Sequence, residues 1–223
     1  MKELSGKVFS IAKENPPVLG CTVSKSVSDK NGFFISWFSF AAGTDISPEI
    51  YRFSKLWLVL DGKIEVLKKS AESETLEKIY VEKGKIYVTP VGIPVGAKTE
   101  DGAVYAEIQL KEDTKMNEIL KSNEVFELKN ILPYQEGKIV NMDLINEEKL
   151  KFVLMSFDEG TGLTEHAAPG EAIIFALDGT GIIGYEGKEH KIKAGENFKF
   201  DKGGAHYVKA DGKFKMALLL TLE

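Results

Sequence analysis

Cysteine is nearly missing. Cys21 is the single copy in 223 residues, so no disulfide can close within the chain and no cysteine-rich metal site can form. Cys21 itself reads as a small apolar filler. Histidine is almost as scarce, with three copies. One of them, His190, lies in the polar stretch Gly187-Lys-Glu-His-Lys, which reads as a hairpin arm. That leaves too few imidazoles for a three-histidine metal site. No apolar run approaches the roughly 18 residues that a membrane span needs. The first residues, Met1-Lys-Glu-Leu-Ser-Gly-Lys-Val-Phe, hold no apolar h-region, so no signal peptide is expected and a cytoplasmic location is the default. No basic block interleaved with aromatics offsets the formal net charge of −5, so neither nucleic acid nor membrane is expected as a partner. The acidity reads as a contribution to solubility. A nucleophile elbow, a P-loop, a dinucleotide fingerprint and an H-E-x-x-H helix are all missing.

Proline is also rare, at 7, whereas glycine reaches 21. Many tight turns between short strands follow from that balance. Residues 7–11 read as a short strand, 15–20 as a turn-rich connector and 22–27 as a second strand. The aromatic and β-branched run Phe33–Phe40 is the strongest strand signal. The apolar run 56–60 meets Asp61-Gly62 and then 63–67, which reads as a hairpin because glycine takes positive φ at little cost. The polar residues 68–75 read as its exposed tip. Strands follow at 78–81, Lys85–Val88 and 104–110. The stretch 112–123 alone has helix-like composition and marks a boundary.

The pattern then restarts. Val8-Phe9 matches Val125-Phe126, Ser39-Phe40 matches Ser156-Phe157, Gly43-Thr44 matches Gly160-Thr161, and Leu60-Asp61-Gly62 matches Leu177-Asp178-Gly179, each 117 positions apart. Beyond the polar tip the spacing falls to 111, pairing Gly84 with Gly195 and Gly92 with Gly203. A constant spacing across separate matches argues for duplication of one β domain.

The second copy resembles the cupin family. Gly160 is followed by five residues and His166, and the motif closes on Gly179; Gly195 and His206 fit the family's second motif. The resemblance spans nearly the whole chain as two copies. It implies an all-β fold of two tandem cupin-type, jelly-roll-like β-barrels joined by a short helical linker. The barrels are residues 1–113 and 123–223, and the linker is 114–122. The departures from the family pattern are as informative. Of four expected ligand positions, His166 and His206 keep histidine, while Ala168 and Ala172 stand at the other two. In the first copy the same positions hold Glu49, Tyr51, Lys55 and Val95.

The resemblance therefore implies a divalent transition metal (Fe, Mn, Ni, Cu or Zn) in the C-terminal barrel only, on His166, His206 and a carboxylate. No metal is expected in the N-terminal barrel. Glu171 is the nearest acid, but strand alternation sets it on the face opposite His166, and only a bulge at Pro169-Gly170 would re-aim it. The competing reading is a metal-free pocket lined by His166, Ala168, Ala172 and His206. Glu49 and Lys55 share strand parity, so they either pair inside the first barrel or both reach solvent. Trp37, Trp57, Phe38 and Phe40 read first as core, with lining of a pocket or a subunit interface as the alternative. No catalytic residue is assigned, and whether the chain is an enzyme stays open. Three functions fit the residues. The first is a protein binding a small organic ligand in the C-terminal barrel. The others are a metal-dependent oxygenase or isomerase using His166 and His206, and a structural module. A homodimer is expected.

Overall fold

The computed structural model describes Met1, residues 3–69 and residues 76–222. Most of the expected tip, residues 70–75, thus lies outside the described residues. In chain order the first half forms β1 (Val8–Phe9), α1 (Ile11–Glu14), β2 (Thr22–Lys30), β3 (Phe33–Phe40), β4 (Asp45–Ile50), β5 (Lys55–Lys69), β6 (Leu76–Glu82), β7 (Lys85–Val88), β8 (Pro94–Lys98) and β9 (Ala103–Gln109). The second half forms β10 (Val125–Glu127), α2 (Leu128–Ile131), β11 (Ile139–Asn146), β12 (Leu150–Phe157), β13 (Gly162–Ala167), β14 (Glu171–Tyr185), β15 (Lys188–Lys193), β16 (Asn197–Phe200) and β17 (Ala205–Thr221). The fold is all-β, with two single-turn helices among the described residues.

Two compact units result. One holds residues 11–114 and 120–127, the other 1–10, 115–119 and 128–223. In the first, hydrogen-bonded strands run in the order β10-β7-β5-β9-β3-β2, with β4 on β8, β8 on β5 and β6 on β5. In the second the order is β1-β16-β14-β17-β12-β11, with β13 on β17 and β15 on β14. The two lists correspond, with β8 and β9 of the first unit matching the single long β17 of the second, and the registers agree residue for residue. Val125 faces Tyr87 as Val8 faces Phe198. Trp57 faces Glu107 as Ile174 faces Leu218. Each residue in these pairs is displaced by the spacing read from the sequence. The short strand at the start of the chain completes the later unit, and β10 completes the earlier one.

Alternation explains the cores. In β3 and β12 every second side chain is buried, and β9 and β16 are buried along almost their whole length. Phe40, Trp57, Val59, Tyr87 and Tyr105 dominate one core; Phe157, Phe198, Phe200, Phe214 and Met216 dominate the other.

Two local expectations are corrected. Residues 112–123 are not helical: they form turns and one bridge, Met116 to Ile145. Their backbone groups bond outwards, Asn117 N to Leu144 O at 2.9 Å and Asn123 N to Val88 O at 2.8 Å, and Asp113 and Asn123 both take φ of 65°. Anchors in both units override helical composition here. Asp61-Gly62 does not turn a hairpin either. β5 runs on through it, with a register shift between Val59 and Asp61. Gly62 has φ of 71°, and a Cβ there would lie 2.2 Å from Gly102 O. The glycine makes a bulge that bends one long strand from partner β7 to partner β6.

Candidate functional site

In the second unit, His166 and His206 are direct cross-strand partners on β13 and β17. Their ring centroids are 4.2 Å apart, and His206 also lies on the Phe200 ring at 4.0 Å. His206 is buried and His166 exposed. Each Nδ1 faces a backbone carbonyl, Thr164 O at 2.8 Å for His166 and Gly204 O at 3.0 Å for His206. A carbonyl only accepts, so each Nδ1 carries a proton, and in the neutral tautomer this leaves Nε2 bare. Burial, together with the neighbouring His166, pulls the His206 pKa below the ordinary histidine value, against the opposing bond to Gly204.

The expected third donor does not join them. Glu171 accepts from the Met1 amine at 2.7 Å and from Lys199 Nζ at 3.2 Å. Register explains its direction: Ala172 faces Phe200 while Lys199 faces Ile173, so Glu171 shares the Lys199 face and not the Phe200 face that carries His206. Burial raises the Glu171 carboxyl, but the Met1 amine and Lys199 outweigh it and hold it low. The His166–His206–Glu171 set is therefore not assembled. Among the described residues no group of three His, Cys, Asp or Glu is arranged to hold a metal ion. Ala168 and Ala172, expected to line the pocket, are 3% and 2% exposed within the apolar core. The open groove of this unit, about 320 Å³, is lined instead by residues 160–164, Lys209 and Ala210.

The first unit holds a more enclosed cavity of about 200 Å³. Three of the four positions equivalent to family ligands open on it: Glu49, Tyr51 and Lys55. Glu49 faces Val95 across β4 and β8, the same register as His166 facing His206. Lys55 does turn inwards, but its partner is Glu107 on β9, with Nζ 3.0 Å from Oε1. The second carboxylate oxygen accepts from Trp57 Nε1 at 2.9 Å. Lys55 Nζ also lies 4.0 Å above the Tyr51 ring. Tyr105, stacked on Phe38 at 4.9 Å, closes one wall, and Ile46 and Ala97 complete the apolar lining. Burial, then the charges of Glu107 and Glu49, push the Tyr51 hydroxyl up; burial and Glu107 do the same to Tyr105. Both stay protonated donors. Among the described residues neither hydroxyl has a protein hydrogen-bond partner.

Sequence reasoning passed over Glu107 and Tyr105 as site residues, and preferred a core role for Trp57 and Phe38 over the pocket lining they also provide. The signal was present: Glu107 is the only charge in Ala103-Val-Tyr-Ala-Glu-Ile-Gln-Leu110, on a strand buried on both faces. An acid there needs an internal partner.

Comparison with known proteins agrees with the fold. Residues 153–222 match the family model described as Cupin domain, and the fold is of the cupin type. A Cupin 2 conserved barrel domain protein from Leptotrichia buccalis superposes with a TM-score of 0.84 at 25% identity, covering 99% of this chain and 98% of that one. A salicylate 1,2-dioxygenase from Pseudoaminobacter salicylatoxidans gives 0.61 at 9% identity, covering 89% and 75%. An oxalate decarboxylase from Bacillus subtilis gives 0.54 at 11%, covering 100% and 78%. The last two likenesses concern the fold alone. No curated protein matches the sequence.

Proposed function

We propose that this chain is a bicupin that binds one small organic ligand, and that the ligand site is the cavity of the first barrel. One observation carries the reading: a buried Lys55–Glu107–Trp57 network on the wall of an enclosed, aromatic cavity. Such a network is a poor way to gain stability, because desolvation offsets the attraction. Nor does the fold require it, since the second unit fills the same places with Ala172, Leu218 and Ile174. A concave, mostly apolar site with a few converging polar groups is how small molecules are usually held.

The test is thermal stabilisation by single-ring amines, acids and alcohols. Binding to the folded state raises the melting temperature by mass action. The expected result is a concentration-dependent rise that the double variant Lys55→Ala, Glu107→Leu removes. Silence across the whole set contradicts the proposal.

A second reading, a divalent metal at His166 and His206, is favoured by the two bare Nε2 atoms. One solved neighbour, the Bacillus subtilis oxalate decarboxylase, is described by its Mn(II) centers. In this chain two imidazoles without a carboxylate make an incomplete set, so no reaction step is assigned to it. Elemental analysis of untagged protein decides: near-stoichiometric metal lost in both His166→Ala and His206→Ala supports it, and none after soaking removes it. The homodimer is likewise a proposal, tested by sedimentation velocity: a single monomeric species at micromolar concentration contradicts it.

A further inference from the structure

We propose that the first-barrel cavity is built for a small organic cation, an ammonium carried on one ring or a short chain. This deepens the ligand-site reading above and rests on it.

The walls already solvate an ammonium. Lys55 Nζ has a carboxylate oxygen at 3.0 Å and an aromatic face at 4.0 Å. Those are the two kinds of contact by which proteins hold organic cations, a carboxylate and the negative face of a ring. Further aromatic rings line the cavity beyond the one Lys55 uses. Trp57 meets Tyr51 edge-on at 6.5 Å and Tyr105 at 5.7 Å, and the Phe38–Tyr105 stack adjoins them.

Charge points the same way. Glu49 and Glu107 contribute two negative charges and Lys55 one positive, so the cavity carries a formal −1. Lys55 and Glu107 cancel locally. Glu49 does not: among the described residues its carboxylate has no ion pair or hydrogen bond. A cationic ligand brings the sum to zero, and a carboxylate brings it to −2. Glu49 is exposed, so solvent screens part of that difference, but its sign favours a cation. The upward push of Glu107 on both tyrosine hydroxyls reflects the same negative field. Size is consistent, because a dry cavity of about 150 Å³ takes a benzene ring, and this one is about 200 Å³.

Three probes of nearly one shape and three charges separate the possibilities: benzylamine, benzyl alcohol and benzoate, titrated by calorimetry into the intact protein. The expected order is benzylamine tightest, about tenfold tighter than benzyl alcohol, with benzoate weakest. In Glu49→Gln, an exposed position where folding is not at risk, benzylamine weakens about fivefold and benzyl alcohol is unchanged. Benzoate or benzyl alcohol binding tightest overturns the cation assignment while leaving the cavity as a ligand site. No binding by any of the three, with thermal silence across the wider set, overturns the site itself.

Discussion

Glu107 is the one charged side chain of β9. Its two oxygens are held by Lys55 and Trp57 inside the first barrel. Removing one partner of a buried pair leaves the other charge without compensation, at a cost on the order of 3 kcal/mol. Glu107→Ala is therefore expected to lower stability by about that amount in urea unfolding. The double variant Lys55→Ala, Glu107→Leu installs the apolar choice of the second barrel and is expected to lose less than half as much. Equal losses in the two would contradict the pairing. His206 gives a pH signature of its own. Its folded pKa lies below the ordinary value, so the unfolded chain takes up the proton first as pH falls. Its contribution is complete above the ordinary histidine pKa and is lost as pH drops from there through the lowered folded value. Melting temperatures at pH 7.5 and 5 should fall less in His206→Phe than in the native chain. An identical fall in both would show that His206 does not report.

At the level of elements, the bulge glycines hold the long strands bent. Gly62 and Gly179 occupy equivalent places, with φ of 71° and 68°, and a Cβ would lie 2.2 Å and 1.8 Å from a facing backbone oxygen. Alanine at either site meets both the left-handed strain and the clash. We expect a loss of about 2 kcal/mol or more in Gly179→Ala, read by denaturant melts. Gly195→Ala, with nothing near the added methyl, is expected to lose only the strain term. The same elements show what sequence conveys and what it hides. Period-two burial in β3 and β12, and the 117-residue echo between them, were legible because alternation and repetition are properties of the chain itself. The Asp-Gly pair was misleading because a positive-φ glycine serves a hairpin and a bulge equally well, and only the pairing partner tells them apart. Face parity set Glu171 apart from His166, and its partners are the Met1 amine and Lys199. The partner of Lys55 stayed hidden, since Glu107 lies 52 residues away in sequence and only strand pairing brings it close.

On the scale of the whole molecule, the chain builds one β plan twice and loads the two copies differently. The later copy carries two histidines beside an apolar core; the earlier one has none at the equivalent positions and sets charge and aromatics around a cavity. The first strand belongs to the later copy, where Val8 and Phe9 pair with Phe198 and Asn197. Deleting residues 1–10 should therefore raise hydrogen exchange in Asn197–Phe200, although these lie far along the chain. Protection of Lys85–Val88, whose edge partner is β10, should be unchanged. Loss of protection confined to residues 11–20 would contradict that strand assignment. Among the described residues no helix is long and apolar enough to cross a membrane.

The measurement that tests the account most directly is ligand-induced thermal shift on three proteins side by side: the native chain, Lys55→Ala with Glu107→Leu, and His166→Ala with His206→Ala. The account predicts a shift in the native chain that survives loss of both histidines and disappears when Lys55 and Glu107 are replaced. A shift that survives in the Lys55 and Glu107 variant but vanishes with the histidines would place the site in the second barrel and contradict it.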